Sequence, residues 1–127
     1  MAEIEFLNID LDIESSVDIA PIIEGFGKRV CVLNNEFSDG KFSATLETGY
    51  TEENRIISEY ASMINGLSPE AREAWNNCIK REFNFGYDSG EQPNIYSSEI
   101  SSDSIKALHD VGGSIIITIY GSNNEDR

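Results

Sequence analysis

The chain has 127 residues, with 23 acidic and 9 basic side chains, and its formal net charge is −14 at pH 7. The length fits one domain with a hydrophobic core, and a composition of 39% hydrophobic and 25% charged residues is that of a globular protein. Nucleic acid and anionic membrane are excluded as expected partners, because phosphate groups are bound by Lys and Arg. The charge permits a partner that is itself basic.

The negative charge is concentrated near the N-terminus. Half of it, −7, lies within residues 1 to 24, which contain no basic side chain. The carboxylates of this segment are Glu3, Glu5, Asp10, Asp12, Glu14, Asp18 and Glu24. The segment has neither a basic start nor a continuous apolar run, so no signal peptide is expected and we expect a cytoplasmic protein. In that compartment Cys31 and Cys78, which both lie in apolar runs, are expected to be buried free thiols.

The first half of the chain predicts three strands and a short helix. Apolar and polar residues alternate over residues 3–14, which is typical of a half-buried strand. Its core-facing residues are Leu7, Ile9, Leu11 and Ile13, and its outward-facing residues are Asn8, Asp10, Asp12 and Glu14. A helix from Val17 to Phe26 follows, capped by Ser15-Ser16. The apolar run Arg29–Leu33 predicts a central strand covered on both faces, and Asp39-Gly40 predicts a hairpin turn into an alternating strand, Lys41–Thr48.

The second half predicts three helices and further strands. Helices are expected from Thr51 to Gly66, from Ser68-Pro69 onward, and from Ser101 or Ser102 to about Asp110. The expected strands are Glu82–Asp88, a weak edge strand Asn94–Ile100, and an isoleucine-rich central strand Ser114–Gly121. This order predicts one α+β domain over residues 1–121, with a mixed, largely antiparallel sheet and helices packed mainly on one face. Residues 122–127 form a polar tail.

No pattern in the sequence indicates catalysis. His109 is the only histidine and lies near the end of a predicted helix, where an imidazolium interacts favourably with the helix dipole. One histidine and two cysteines do not make a zinc site. Counted from Asp10, a calcium loop would need Gly and Glu where Ser15 and Pro21 stand. We therefore expect no catalytic residue, no metal and no cofactor.

The carboxylates of Asp10, Asp12 and Glu14, here called the acidic stripe, have three possible interpretations. They form a solvated sheet face, as charge runs usually do, a stripe that faces a partner, or a Mg²⁺ or Mn²⁺ site.

Several segments resemble those of a known group of proteins. They are Asn8–Glu14, Phe83–Gly90, Ser98–Ser101, Gly112-Gly113 and Ile115–Tyr120. In this order they resemble small bacterial proteins of unassigned function found beside polymorphic-toxin genes. The resemblance implies an immunity protein, of the contact-dependent growth inhibition type, that neutralises a cognate toxin. It transfers no functional residue.

The charge agrees with this interpretation, because toxin domains that act on nucleic acid are basic, and an acidic inhibitor associates with them rapidly. The expected mechanism is electrostatic and steric occlusion of the toxin. The expected partner-binding residues are Asp10, Asp12, Glu14 and Asp18, with a second group, Tyr87, Asp88 and Glu91, on a predicted loop. Two alternatives stay open: a nucleic-acid mimic or anti-defence protein with its carboxylates in two phosphate-like rows, and a soluble binding domain whose acidity serves only solubility.

Overall fold

The computed structural model describes residues 4–90 and 95–121. In chain order its elements are β1 (Glu5–Ser15), α1 (Ala20–Phe26), a 3₁₀ turn (Gly27–Arg29), β2 (Cys31–Ser38), β3 (Lys41–Glu47), α2 (Glu53–Asn65), α3 (Pro69–Asn76), β4 (Lys80–Asp88), α4 (Ser102–Asp110) and β5 (Ser114–Tyr120). The strands form one sheet in the order β2-β3-β1-β4-β5, in which only the β4–β5 pair is parallel. The predicted α+β class, with a mixed and largely antiparallel sheet, is confirmed.

β1 is the central strand, and its alternation divides the sheet into two faces. Ile9, Leu11 and Ile13 are at most 1% exposed and pack into a single hydrophobic core with residues from all four helices. The polar residues between them point to the opposite face. One prediction is wrong at the start of the strand: a bulge between Phe6 and Asn8 leaves Leu7 exposed.

The helices begin largely where capping residues predict them. The Ser68 hydroxyl accepts the Ala71 N–H at the start of α3, and the Ser101 hydroxyl accepts the Ser104 N–H at the start of α4. Two starts differ from the prediction. α1 begins at Ala20, which places Pro21 in the first turn, where its missing N–H costs no helical bond. α2 is capped by the side chain of Glu52 rather than by Thr51.

Two strands predicted to be central are edge strands. β2 is exposed along its whole length and β5 along most of its length, because each has a neighbouring strand on one side only. The prediction of two buried thiols is therefore wrong for Cys31, which lies exposed on β2. Cys78 is buried as predicted, and burial raises the pKa of its thiol to about 11.

The strand predicted for Asn94–Ile100 is wrong for residues 95–100, which have no regular secondary structure, and Asn94 lies outside the described residues. The position beside β4 where an edge strand would pair belongs to β5. Residues 95–100 instead contact the start of α2: the Ser98 hydroxyl donates to the Glu53 carboxylate, and the Asn54 Nδ2 donates to the Glu99 carbonyl across 3.0 Å. The predicted tail, residues 122–127, also lies outside the described residues.

No helix in residues 4–90 and 95–121 has the length and apolar character needed to cross a membrane.

Candidate functional site

The face of the sheet opposite the core carries most of the chemistry of this protein, and we call it the acidic face. Residues that pair across neighbouring strands share one face of a sheet. The register therefore groups the acidic stripe of β1 with carboxylates from the other antiparallel strands. The carboxylates of the acidic face are Glu5, Asp10, Asp12 and Glu14 of β1, Glu36 of β2, Glu47 of β3, and Glu82 and Asp88 of β4. These eight carboxylates, of which Asp88 is buried, are accompanied on the same face by two lysines, Lys41 and Lys80.

Neutral polar side chains hold several of these carboxylates in place. The Asn8 Nδ2 donates to Asp10 Oδ1 across 3.1 Å and to Glu47 Oε2 across 2.8 Å, so one amide bridges two carboxylates on neighbouring strands. The Thr45 hydroxyl donates to Asp12 Oδ1 across 2.6 Å. Such bonds fix the geometry of the carboxylates, but they do not neutralise their charge.

Charge compensation differs along the acidic stripe. The Asp10 carboxyl has its pKa raised to about 6, first by burial and then by the negative charges of Glu47 and Asp12. Glu14 lies at the other end, where Lys41 Nζ is 3.8 Å from Glu14 Oε2 and Lys80 is its partner across the strand pair. The uncompensated negative charge is therefore concentrated around Asp10.

A shallow depression of about 180 Å³ opens on the acidic face between β1, β2 and β3. Its polar lining comes from Asp12, Glu14, Asn34, Ser43, Thr45 and Lys80. Small-molecule sites in proteins are usually about 300–1,000 Å³. The size and lining suit one inserted side chain rather than a cofactor.

Tyr120 supplies an aromatic ring at one end of the acidic face. A Cβ added at Gly86 would lie 3.5 Å from the Tyr120 ring and 3.5 Å from Asn8 Oδ1, so the ring covers the glycine beside Asn8. The side chain is 40% exposed. The sequence pattern predicts a central strand that ends in a core residue here, which is wrong because β5 lies at the sheet edge. The signal that could have found this contact is Gly86, since a glycine within a strand often marks close approach of another group.

The structure brings together only part of the predicted partner-binding set. Asp10, Asp12 and Glu14 lie side by side on the acidic face, as the alternation predicts. Asp18 follows the end of β1, is exposed, and accepts the Ala20 N–H across 2.9 Å. It thus shapes the turn into α1.

The second predicted group does not join the first. Tyr87 and Asp88 are the last residues of β4, which ends where the predicted strand Glu82–Asp88 ends, so their placement on a loop is wrong: β4 remains paired with β1 and β5 to its end. Tyr87 packs against the core on the helical side, and its hydroxyl donates to Glu53 Oε2 across 3.2 Å. Asp88 lies on the same face of the sheet as the acidic stripe, but it is buried and accepts the Gly90 N–H across 2.9 Å. Glu91 lies outside the described residues.

On the strands other than β1, sequence reasoning missed Glu36, Glu47, Glu82 and Tyr120 as members of this surface. The alternation of β3 already places Glu47 outward. What the sequence does not contain is the strand order, and the strand order alone brings these residues to the acidic stripe.

Among residues 4–90 and 95–121, no three His, Cys, Asp or Glu side chains are arranged to hold a metal ion. Comparison of the chain with protein-family models, with curated proteins and with solved structures finds no match. The chemistry of the acidic face is therefore what bears on function.

Proposed function

We propose that this protein is a non-catalytic immunity protein, which binds a basic toxin domain through the acidic face and neutralises it by electrostatic and steric occlusion. The observation that carries the proposal is the composition of that face, eight carboxylates, one of them buried, against two lysines on an open sheet surface. Carboxylates on adjacent strands repel one another and gain nothing for folding. A cationic partner would relieve this repulsion.

The environment of Asp10 supports a cationic partner most directly. Its carboxyl is partly buried beside Glu47 and Asp12, and its described contacts include no basic side chain. A Lys or Arg from a partner would supply the missing positive charge, and the field of the whole face would accelerate association. The pKa of the Asp10 carboxyl is raised first by burial and then by the negative charges of Glu47 and Asp12, and a bound cation would oppose both effects.

The neighbouring features suit a protein partner. The 180 Å³ depression between Asp12 and Lys80 has room for one side chain. Tyr120 offers a half-exposed aromatic ring at the other end, of the kind that is enriched at the centre of protein interfaces. The depression and the Tyr120 ring would therefore give the interface shape complementarity in addition to charge complementarity.

The arrangement of the carboxylates does not favour nucleic-acid mimicry. A mimic needs two rows of negative charge to stand in for two phosphate backbones. The described strands carry one row on β1, which comprises Glu5 and the acidic stripe, flanked by single exposed carboxylates on β2, β3 and β4, since the second carboxylate of β4, Asp88, is buried. A compact acidic patch of this kind fits a basic surface of limited size.

The class of function is tested by the adjacent upstream gene. Its C-terminal domain is expressed in a bacterial host, alone and together with this protein. We expect growth arrest alone, rescue by co-expression, and a complex that co-purifies. If the neighbouring gene product is toxic but does not bind this protein, and co-expression does not restore growth, the proposal is contradicted. It is also contradicted if the neighbouring gene has a housekeeping role.

The role of the acidic stripe is tested by a charge-matched pair of variants. Asp10→Asn, Asp12→Asn and Glu14→Gln are combined in one protein and should slow association with the toxin domain about tenfold at low salt. The control combines Glu24→Gln, Glu73→Gln and Glu99→Gln, which are exposed residues away from the acidic face. Stopped-flow kinetics at several salt concentrations should show a flattened salt dependence for the first variant only. Equal rates for the two variants would remove the stripe from the interface.

A further inference from the structure

β5 is an apolar edge strand, and no described strand pairs with its outer side. Its sequence Ser-Ile-Ile-Ile-Thr-Ile-Tyr contains neither a charge nor a proline, and its register with β4 runs without a bulge. The exposed fractions are 64% for Ile117 and 66% for Ile119. In natural proteins, charged side chains, prolines, bulges or a covering segment keep a free edge strand from pairing with another chain. β5 has none of the first three, and the exposure of its isoleucines shows that no described segment covers them.

The free edge offers regularly spaced backbone groups. The Ser89 N–H donates to the Tyr120 carbonyl across 2.9 Å, so the backbone groups of Tyr120 point toward β4. Because this direction alternates along a strand, the N–H and C=O groups of Ile115, Ile117 and Ile119 point to the free edge. An added strand would hydrogen-bond to these three residues.

The order of side chains along β5 is self-complementary about Ile117. In an antiparallel pairing of two copies centred there, Ile117 meets Ile117, Ile115 meets Ile119, and the three form six backbone hydrogen bonds in all. On the other face Ile116 meets Thr118. We propose that β5 joins two copies of this chain about a twofold axis through Ile117, giving one continuous sheet of ten strands.

The charge distribution favours this edge for self-association. Two chains of net charge −14 repel wherever their carboxylates approach. The longest uncharged run of the sequence is residues 111–124, which contains all of β5. In the paired sheet the nearest carboxylates of the two acidic faces, on the two β4 strands, stand three strand spacings apart, roughly 14 Å. This is beyond the screening length of about 8 Å at physiological salt, so the two acidic faces do not prevent the contact.

A groove next to β5 gives the second copy a further contact. It has a volume of about 370 Å³ and lies on the helical side of the sheet. Its lining comes from Ile4, Tyr87, Ser89, Tyr96, Ser98, Ile117 and Ile119. Pairing places Ile115 of the second copy opposite Ile119, at the edge of this groove. Contact between the side chains of the two β5 strands then shields part of this apolar surface on both sides of the axis.

The oligomeric state tests the proposal. Sedimentation equilibrium of the full chain, up to about 200 µM, should show a monomer–dimer equilibrium that strengthens with added salt. Ile117→Lys places two like charges on the axis and should weaken dimerisation about a hundredfold or more. Ile105→Lys, at an exposed apolar position of α4, should leave dimerisation unchanged. A monomer at all concentrations, an open-ended series of oligomers, or a dimer indifferent to Ile117→Lys would each overturn the proposal.

Cysteine substitution tests the register in a Cys31→Ser background, which lacks the exposed native thiol. Residues facing each other in such a pair have Cα atoms about 5.5 Å apart, a separation that a disulfide spans. Ile117→Cys should therefore cross-link to itself on mild oxidation. Ile115→Cys should not, because its two copies lie roughly 14 Å apart along the strand, yet it should cross-link when mixed with Ile119→Cys. If Ile115→Cys cross-links to itself and Ile117→Cys does not, the twofold axis does not pass through Ile117, and the proposal is overturned even if dimers form.

Discussion

Asp10 and Glu14 are four residues apart on one strand and one face, but they have opposite electrostatic surroundings. Partial burial, and then the negative charges of Glu47 and Asp12, raise the pKa of the Asp10 carboxyl. Glu14 has Lys41 within 3.8 Å and Lys80 across the strand pair. The ionised form of Asp10 therefore costs the folded state free energy that Glu14 does not.

The stability of Asp10→Asn should depend on pH. The folded-state pKa of about 6 lies above the ordinary value of 3.8, so the folded chain binds more protons between these limits, and its stability falls as the pH rises through that window. The substitution removes this cost. After allowance for solvent screening at a half-buried site, it should raise the free energy of unfolding by about 1 kcal/mol at pH 8 and by almost nothing at pH 4.

Urea denaturation at the two pH values measures this effect, with Glu14→Gln as the matched control on the same strand. The control should be neutral or slightly destabilising at both pH values, because it removes only an exposed ion pair. Equal gains from the two substitutions at pH 8 would contradict the unequal surroundings of the two carboxylates.

At the scale of elements, the start of α2 organises the segment that leads into α4. The Asn54 side chain donates to the Glu99 carbonyl and accepts both the Ser101 N–H, at 3.0 Å, and the Ser104 hydroxyl, at 2.7 Å. Ser101 is also the cap of α4. One amide therefore joins the first turns of two helices.

Asn54→Ala should lower the free energy of unfolding by about 2 kcal/mol, because it leaves partly buried donors and an acceptor without their partners. Asn65→Ala is the control, since Asn65 is exposed and its side chain accepts a bond from Arg72 on the surface. Its effect should stay within about 0.5 kcal/mol. Amide exchange of residues 95–104 should accelerate in the first variant alone, and a uniform acceleration throughout the chain would argue against a local role.

Short sequence patterns correctly predicted those helices and strands whose formation depends on interactions between residues close together in the chain. The alternation of β1 and the caps at Ser68 and Ser101 are encoded within a few residues, and the structure confirms them. The central positions predicted for β2 and β5 are wrong, because an apolar run is compatible with a core and equally with an apolar edge. Which of the two forms depends on strand order, and no short stretch of sequence contains that information.

The candidate site, like the fold, was predicted from the sequence only where short local patterns determine it. The acidic stripe follows from alternation alone, whereas Glu82 joins it only because β4 pairs with β1. The loop predicted at Asp88 rests on the Asp-Ser-Gly turn that begins there. The structure keeps Asp88 in the sheet, paired with Glu5 and Tyr120, because strands from distant parts of the chain continue beside it.

At the scale of the whole molecule, the sheet separates the hydrophobic core on its helical side from the clustered carboxylates on its acidic face. The helical side contains the single core cluster, with Trp75, Tyr60 and Phe83 fully buried. The acidic face contains most of the uncompensated carboxylates of the sheet and contributes repulsion to the free protein. Residues that lower the free energy of unfolding and make no stabilising contact within the protein are expected at surfaces that bind a partner.

The variant that neutralises Asp10, Asp12 and Glu14 should therefore show two effects of opposite sign. Its free energy of unfolding should rise by about 1–2 kcal/mol at low salt, a gain that shrinks in 0.5 M NaCl as salt screens the repulsion in the parent chain. Its association with the toxin domain should weaken. The control variant at Glu24, Glu73 and Glu99 changes the net charge equally but removes no clustered carboxylates, so its stability should change by less than about 0.5 kcal/mol. Equal stabilisation of the two variants would assign the repulsion to the total charge of −14 rather than to the acidic face.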